Sequence, residues 1–303
     1  MVRDIAPKVA FWRALAKATE IVSTYPETPY LVFANWKYRE VLLNWLLFAR
    51  AANVENVIVV SYDRRLYWFL QRRGISSVFV PLKPGKHMLW WRMFIFNALC
   101  QAGVDFVHSD ADALILRNPL PLLQASPAEL VMSQGTVHPQ DVVRIRGHVL
   151  CAGFFLLRSG TQSRDLLGRA LEQARIRGTD QSGFNWAIEE MQGQWSLRNE
   201  QGVYFEHRGE KFAIFEDPAH FVSGGELRVT MLSHYRFQRF FLGHEHRPHV
   251  VHPLANQQAS TKREALALLG LWRLRSDWSG VAFDRDSLAL LDAHPETRPD
   301  KHD

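Results

Sequence analysis

A chain of 303 residues, 47% of them apolar, can bury a large core, which excludes a wholly disordered protein. Its 36 Lys and Arg against 31 Asp and Glu give a net charge of +5, suited to anionic small ligands or lipid headgroups and too mild for a nucleic-acid binder. No stretch approaches the ~20 apolar residues of a membrane span, and the first ten residues lack a signal peptide's apolar run, so a soluble, cytoplasmic protein with at most peripheral membrane contact is expected.

Along the chain, residues 8–24 place Trp12, Leu15, Ala16, Thr19 and Val22 at helical spacing, predicting an amphipathic opening helix that packs on its own domain. Residues 30–34 read as a buried strand, 38–51 as a helix, 57–60 as a strand, 64–73 as a helix and 77–81 as a strand. A long aromatic-rich helix over 88–102 closes at Gly103, and 104–108 is the next strand. Strands alternating with helices predict an α/β fold with a mostly parallel central sheet flanked by helices. Such sheets bind ligands beyond the carboxyl ends of their strands, which directs attention to the residues after Val107.

The second half is less regular. A strand over 150–158, helices over 161–176 and 181–191, and short strands at 203–205, 212–215 and 227–232 are predicted. Residues 250–252 and a last helix over 260–274 follow. Cys100 and Cys151 sit in apolar stretches and read as reduced core residues. One domain over 1–290 is the simplest account, with 291–303 a polar, disordered tail.

Three places carry chemistry. The first is His108-Ser109-Asp110-Ala111-Asp112, directly after a buried strand. Two acids separated by one small residue can face one cavity, and their hard oxygens suit Mn²⁺ or Mg²⁺ that keeps positions open for phosphate. The competing reading is a turn with two solvated carboxylates. The second is Asp180-Gln181, opening a helix, with Asn185 one turn later. Asp180 is either an N-cap or a carboxylate facing a sugar, with Gln181 bonding hydroxyls. The third is His252 with Lys262, an imidazole for a metal and a cation at a helix start for phosphate. The run Gly243 to His249 holds three histidines without metal-site spacing and reads as a polar loop.

Taken in order, these pieces resemble the nucleotide-diphospho-sugar transferases of glycosyltransferase family 77, which include plant rhamnogalacturonan xylosyltransferases. The resemblance runs from about Phe33 to Trp272. It is carried by Ala34-Asn35, Asn44-Trp45-Leu46, Ser61-Tyr62-Asp63, Ser109-Asp110-Ala111-Asp112, Arg117-Asn118-Pro119, Gly153-Phe154-Phe155, Asp180-Gln181 with Phe184-Asn185, then His252, Lys262 and Gly270-Leu271-Trp272. It implies the GT-A fold, a nucleotide-binding half over about 28–118 and a donor-sugar and acceptor half over about 119–275.

It further implies a UDP-sugar donor, a divalent metal and retention at the anomeric carbon. Carried over by position, Asp110, Asp112 and His252 are the metal ligands, with Asp110 also touching the donor. Asn35, Asp63, Arg92, Gly153, Asn185 and Lys262 are donor contacts, and Asp180 and Gln181 lie at the reacting carbon. Some positions depart from the family's pattern: Cys151-Ala152-Gly153 stands where Asn-x-Gly is usual, Arg92 where Lys is usual, and Pro253-Leu254 follow His252 where Asn is usual.

A front-face retaining transfer is expected, with the leaving phosphate taking the acceptor proton. Two other classes stay open: a metal-dependent nucleotidyltransferase, which would want a Gly-rich phosphate loop that is not present, and an inactive relative serving as a carbohydrate-binding scaffold. The acceptor, whether glycan, lipid-linked sugar or protein, would be set by the loops 135–148 and 223–249. Their Arg144, Arg146, Arg236 and Arg239 either meet an acidic acceptor or are surface charge.

Overall fold

In the computed structural model, which describes residues 9–82, 88–197, 203–207, 209–254 and 261–274, all five residues of β1 (Tyr30–Ala34) are buried. They divide by parity. Leu31 and Phe33 enter one hydrophobic core, and Tyr30, Val32 and Ala34 enter another on the opposite face. A strand covered on both faces is what alternating strands and helices require. The first core is closed in part by α1 (Val9–Ser23), with Phe11 edge-on to Trp91 at 4.9 Å. Phe11, Leu15, Ala18 and Val22 point inward, not the expected Trp12 and Ala16, because the 3.6-residue period counted from Leu15 selects them.

The alternation continues through α2 (Arg39–Ala51), β2 (Val57–Ser61), α3 (Arg64–Gln71), β3 (Ser77–Phe79), α4 (Met88–Gln101) and β4 (Phe106–Asp110). Their four strands pair in parallel in the order β3-β2-β1-β4. β5 (Leu114–Ile115), α5 (Leu120–Ala125), β6 (Leu130–Gln134), α6 (Gln140–Arg146) and β7 (Leu150–Leu157) follow. β7 inserts between β4 and β6, antiparallel to both.

Two helices come next, α7 (Thr161–Arg177) and α8 (Asp180–Glu190). They lead to β8 (Gly193–Leu197), the hairpin β9 (Val203–His207) and β10 (Glu210–Ile214), then β11 (Ala219–Ser223) and β12 (Arg228–Leu232). The main sheet has nine strands in the order β3-β2-β1-β4-β7-β6-β12-β11-β8. Only β7 and β11 run against the rest, so the sheet is mostly parallel, as expected.

A second, three-stranded sheet joins β13 (Phe237–Gln238), β14 (Val250–Val251) and β5, and α9 (Lys262–Leu268) ends the described chain's regular structure. α9 is shorter than the predicted 260–274: the chain leaves helix at Leu269 and Gly270 adopts a left-handed φ of 68°. The predicted tail at 291–303 and residue 260 lie outside the described residues. Both cysteines are buried and free, as expected. Among the described residues no helix is long and apolar enough to cross a membrane.

Candidate active site

Two strand pairings assemble the site. Asp110 ends β4, and the antiparallel register with β7, His108 opposite Phe155 and Ser109 opposite Phe154, continues to set Gly153 beside it. Val251 pairs with Leu114, which brings His252 back to the level of Asp112. Without the small sheet these residues would have no reason to meet. One ligand atom from each of Asp110, Asp112 and His252 can be chosen so that all lie within 4.8 Å of one another. The His252 Nε2 is 3.3 Å from Asp112 Oδ1 and 3.7 Å from Asp110 Oδ2.

The set suits a hard divalent cation: two carboxylates and one imidazole, converging on a cleft. Gly153 confirms how tightly the ligands are packed from behind, since a Cβ there would lie 2.1 Å from His252 Cε1 and 2.7 Å from Asp110 Oδ2. On its other side the His252 ring is approached by Cys151, whose Sγ is 3.7 Å from Nδ1, which leaves Nε2 directed at the acids. Burial raises the Cys151 thiol, yet Arg239 and His252 bring it down to about 7.

Opposing charges hold the acids ionised. Burial would raise the Asp110 carboxyl, but Arg92 first and then His108 and His252 keep it well below the usual carboxylate range. Asp112 is likewise held low against burial, by His252 and Lys262. The Lys262 ammonium lies 2.6 Å from Asp112 Oδ2 and donates to the Pro253 carbonyl at 3.2 Å. Its place at the start of α9 is fixed by a capping box between Thr261 and Glu264.

Arg92, on α4, bridges the two acidic segments. Its Nη1 is 2.5 Å from Asp110 Oδ1, and its Nε donates to Asp180 Oδ2. The N-cap role left open for Asp180 belongs to Thr179, whose hydroxyl accepts from the Ser182 N–H, so the Asp180 carboxylate is free to hold Arg92. Its other oxygen accepts the Gln181 N–H at 2.8 Å. His108 is buried among Phe33, Phe96 and Phe155, with Nε2 3.3 Å from Asp110.

Arg92, Asp110, Asp112, Asp180, His252 and Lys262 line one cleft of about 350 Å³, together with Asn35, Tyr38, Gly153, Gln181, His138 and Arg239. Two expected donor residues lie elsewhere. Asp63 caps α3 through the Leu66 N–H at 2.8 Å and accepts the Trp36 N–H at 2.6 Å. Asn185 is wholly buried and its amide is consumed by Leu150, Gln181 and Arg146. Tyr38, His138 and Arg239 in the cleft, and Cys151 against His252, were not singled out from sequence as site residues. Cys151 and Tyr38 carry no local signal of their own, and Arg239 was one of several arginines in a loop. The three-histidine run forms a short 3-10 turn and lies apart from the cleft.

The nine-stranded, mostly parallel sheet with its cleft beyond the carboxyl end of β4 defines an α/β protein with its ligand site where such sheets place it. A family model for nucleotide-diphospho-sugar transferases matches residues 52–266, most of the chain, and the chain belongs to that family. It is 23% identical over 198 residues to the beta-arabinofuranosyltransferase RAY1 of Arabidopsis thaliana, covering 60% of this chain and 36% of that protein. It is 22% identical over 204 residues to the arabinosyltransferase XEG113 of the same plant, covering 59% and 31%. The chain thus spans about a third of the length of these relatives, both of which belong to glycosyltransferase family 77. The glycosyltransferase GlyE of Streptococcus pneumoniae superposes with a TM-score of 0.51 at 15% identity, over 87% of this chain and 62% of that one. The fold is therefore that of the GT-A glycosyltransferases.

Proposed function

We propose that this chain transfers a sugar from a UDP-sugar to an acceptor hydroxyl, with a bound divalent cation, Mn²⁺ first, and with retention at the anomeric carbon. The observation that carries this reading is the convergence of Asp110, Asp112 and His252 on one cleft, flanked by Lys262 and Arg92. A cation held by those three ligands would supply charge stabilisation for a departing diphosphate. Lys262 is placed to take up phosphate charge from the opposite side of Asp112.

Asp180 fits a transfer without a covalent enzyme intermediate. One of its oxygens is held by Arg92 and the other by the Gln181 N–H, so its carboxylate is a positioning group and not a free nucleophile. Gln181 donates to the His138 carbonyl at 2.5 Å, which fixes its amide at the cleft wall, where the donor sugar would lie. The acceptor hydroxyl would then attack from the face the diphosphate leaves, and the leaving phosphate oxygen would take its proton. Asn35 and Tyr38 line the cleft on the side of β1, where the nucleoside is expected. The plant relatives are named for arabinosyl transfer, which makes UDP-arabinose the first donor to test.

Incubation with UDP-sugars, with and without Mn²⁺, tests the reading. Release of UDP that stops with EDTA and in Asp112→Ala supports it, and an α or β anomer matching the donor by NMR supports retention. Metal-independent release, or full activity in Asp112→Ala, overturns it.

A further inference from the structure

The other cations of the cleft are already paired. Arg92 is shared between Asp110 and Asp180, and Lys262 is held by Asp112. Arg239 differs. Its Nε and Nη1 are buried and meet no hydrogen-bond acceptor among the described residues. No carboxylate pairs with it among those residues: His234 beside it is fully buried, with both ring nitrogens likewise unmatched, and burial followed by the charge of Arg239 pushes it down to about 3, so it stays neutral, while the Cys151 thiol is the neighbour that Arg239 draws toward ionisation.

The loop that carries Arg239 is pinned. Gln238 accepts the His252 N–H at 2.8 Å through its backbone oxygen. Its side chain donates to the Tyr235 carbonyl at 3.0 Å and accepts the Leu242 N–H at 2.9 Å. Arg239 therefore stands alongside His252 and lines the cleft by construction. Arg239 is only partly buried as a residue, but two buried guanidinium nitrogens without an acceptor are costly to the free protein, and a ligand that completes them is the usual explanation.

A nucleotide-sugar's diphosphate fits as that ligand by charge. A divalent cation and the doubly ionised diphosphate of a nucleotide-sugar cancel. What remains, with His252 neutral as a ligand, is three acids, Asp110, Asp112 and Asp180, against Arg92 and Lys262. One negative charge is left over, and Arg239 cancels it.

We propose that Arg239 is a receptor for the donor's diphosphate, donating hydrogen bonds to its non-bridging oxygens. This deepens the glycosyl-transfer reading and rests on it. As the bond from anomeric carbon to phosphate oxygen breaks, its electron pair stays on the diphosphate. The acceptor oxygen bonds to the anomeric carbon, and its proton passes to the leaving diphosphate. Arg239 faces the charge that grows during that step.

The test compares wild type, Arg239→Met and Arg239→Lys in Mn²⁺, measuring melting temperature and calorimetric Kd for UDP and GDP, each against its monophosphate. Arg239→Met should melt higher than wild type without nucleotide, since an unmatched buried charge is gone. The same variant should bind the diphosphate about ten- to a hundredfold more weakly, and its preference for diphosphate over monophosphate should shrink. Arg239→Lys, which keeps the charge and loses the planar fork, should fall between the two. Wild-type diphosphate affinity in either folded variant overturns the proposal. If only the KM for an acidic acceptor rises, Arg239 serves the acceptor and the proposal is wrong, while the glycosyl-transfer reading stands. Wild type that binds no nucleoside diphosphate in Mn²⁺ overturns both.

Discussion

Gly153 presses against His252 so closely that a Cβ added to the glycine would lie 2.1 Å from the imidazole Cε1. The strand that carries Gly153 is central, buried along its length, and flanked on both sides. Neither partner can yield easily, since His252 is itself anchored by Cys151 and by the backbone of Gln238. Gly153→Ala should displace His252 and weaken Mn²⁺ binding at least about tenfold, at a folding cost of about 1–3 kcal/mol. Isothermal titration with Mn²⁺ beside a denaturant melt separates the two effects.

Cys151 reaches the same ring from its Nδ1 side. Partners of this kind fix the orientation of a ligating imidazole, and their loss typically costs 10–100-fold in metal affinity. Cys151→Ala is expected to lower Mn²⁺ affinity about tenfold with little change in the melting temperature of the metal-free protein. Unchanged metal affinity would reduce Cys151 to a packing residue.

His252 makes metal uptake sensitive to pH. Burial and Arg239 push its imidazole toward the neutral form, but the charge and hydrogen bond of Asp112 together with the Cys151 contact leave its pKa raised above the ordinary 6.5. In the metal-free protein, then, the ion pair with Asp112 stabilises the fold below the unfolded-state pKa, and that contribution is lost as pH rises through the folded one. Metal binding has the opposite sign because the ligand must be neutral. Mn²⁺ affinity should rise between about pH 6 and about pH 8, by up to roughly tenfold per unit below the folded pKa. His252→Asn should flatten that slope.

Arg92 is a structural as well as a chemical residue. Its removal leaves Asp180, almost wholly buried, and the less buried Asp110 without their shared cation. Arg92→Ala should cost about 3–5 kcal/mol, less whatever water reaches Asp110. Arg92→Lys should recover part of that stability, because an ammonium keeps the charge without spanning both carboxylates in one plane. Differential scanning calorimetry of the two variants reads this directly.

Much of this was legible in the sequence where short-range pattern governs. The strands β1, β2 and β4 and the helices between them follow from buried apolar runs and helical spacing, and Asp110-Ala111-Asp112 stood out because it follows such a strand. β6, β8 and β11 were not legible. β6 is a five-residue buried run between α5 and α6 that shows no alternation, and β8 and β11 pair at the far edge of the sheet, where one face is exposed.

The site was legible in part for the same reason. His252 and Lys262 carry little local signal, and long-range pairing of β14 with β5 gives their position its meaning. Asn185 shows the converse error of reasoning by helical adjacency: it shares a helix face with Gln181, yet its amide closes the backbone of Leu150. Arg239 was one arginine among several until its buried, unmatched nitrogens set it apart.

The central claim is that Asp110, Asp112 and His252 hold a divalent cation that bridges the protein to a nucleoside diphosphate. Thermal melting of the purified chain with UDP, in Mn²⁺ and in EDTA, tests it most directly, because a ligand that binds only the folded state must raise the melting temperature. A rise with UDP and Mn²⁺ together that disappears in EDTA, and in Asp112→Ala, is the expected result. An equal rise in EDTA, or none with UDP, GDP or any other nucleoside diphosphate, would contradict the metal-bridged donor site.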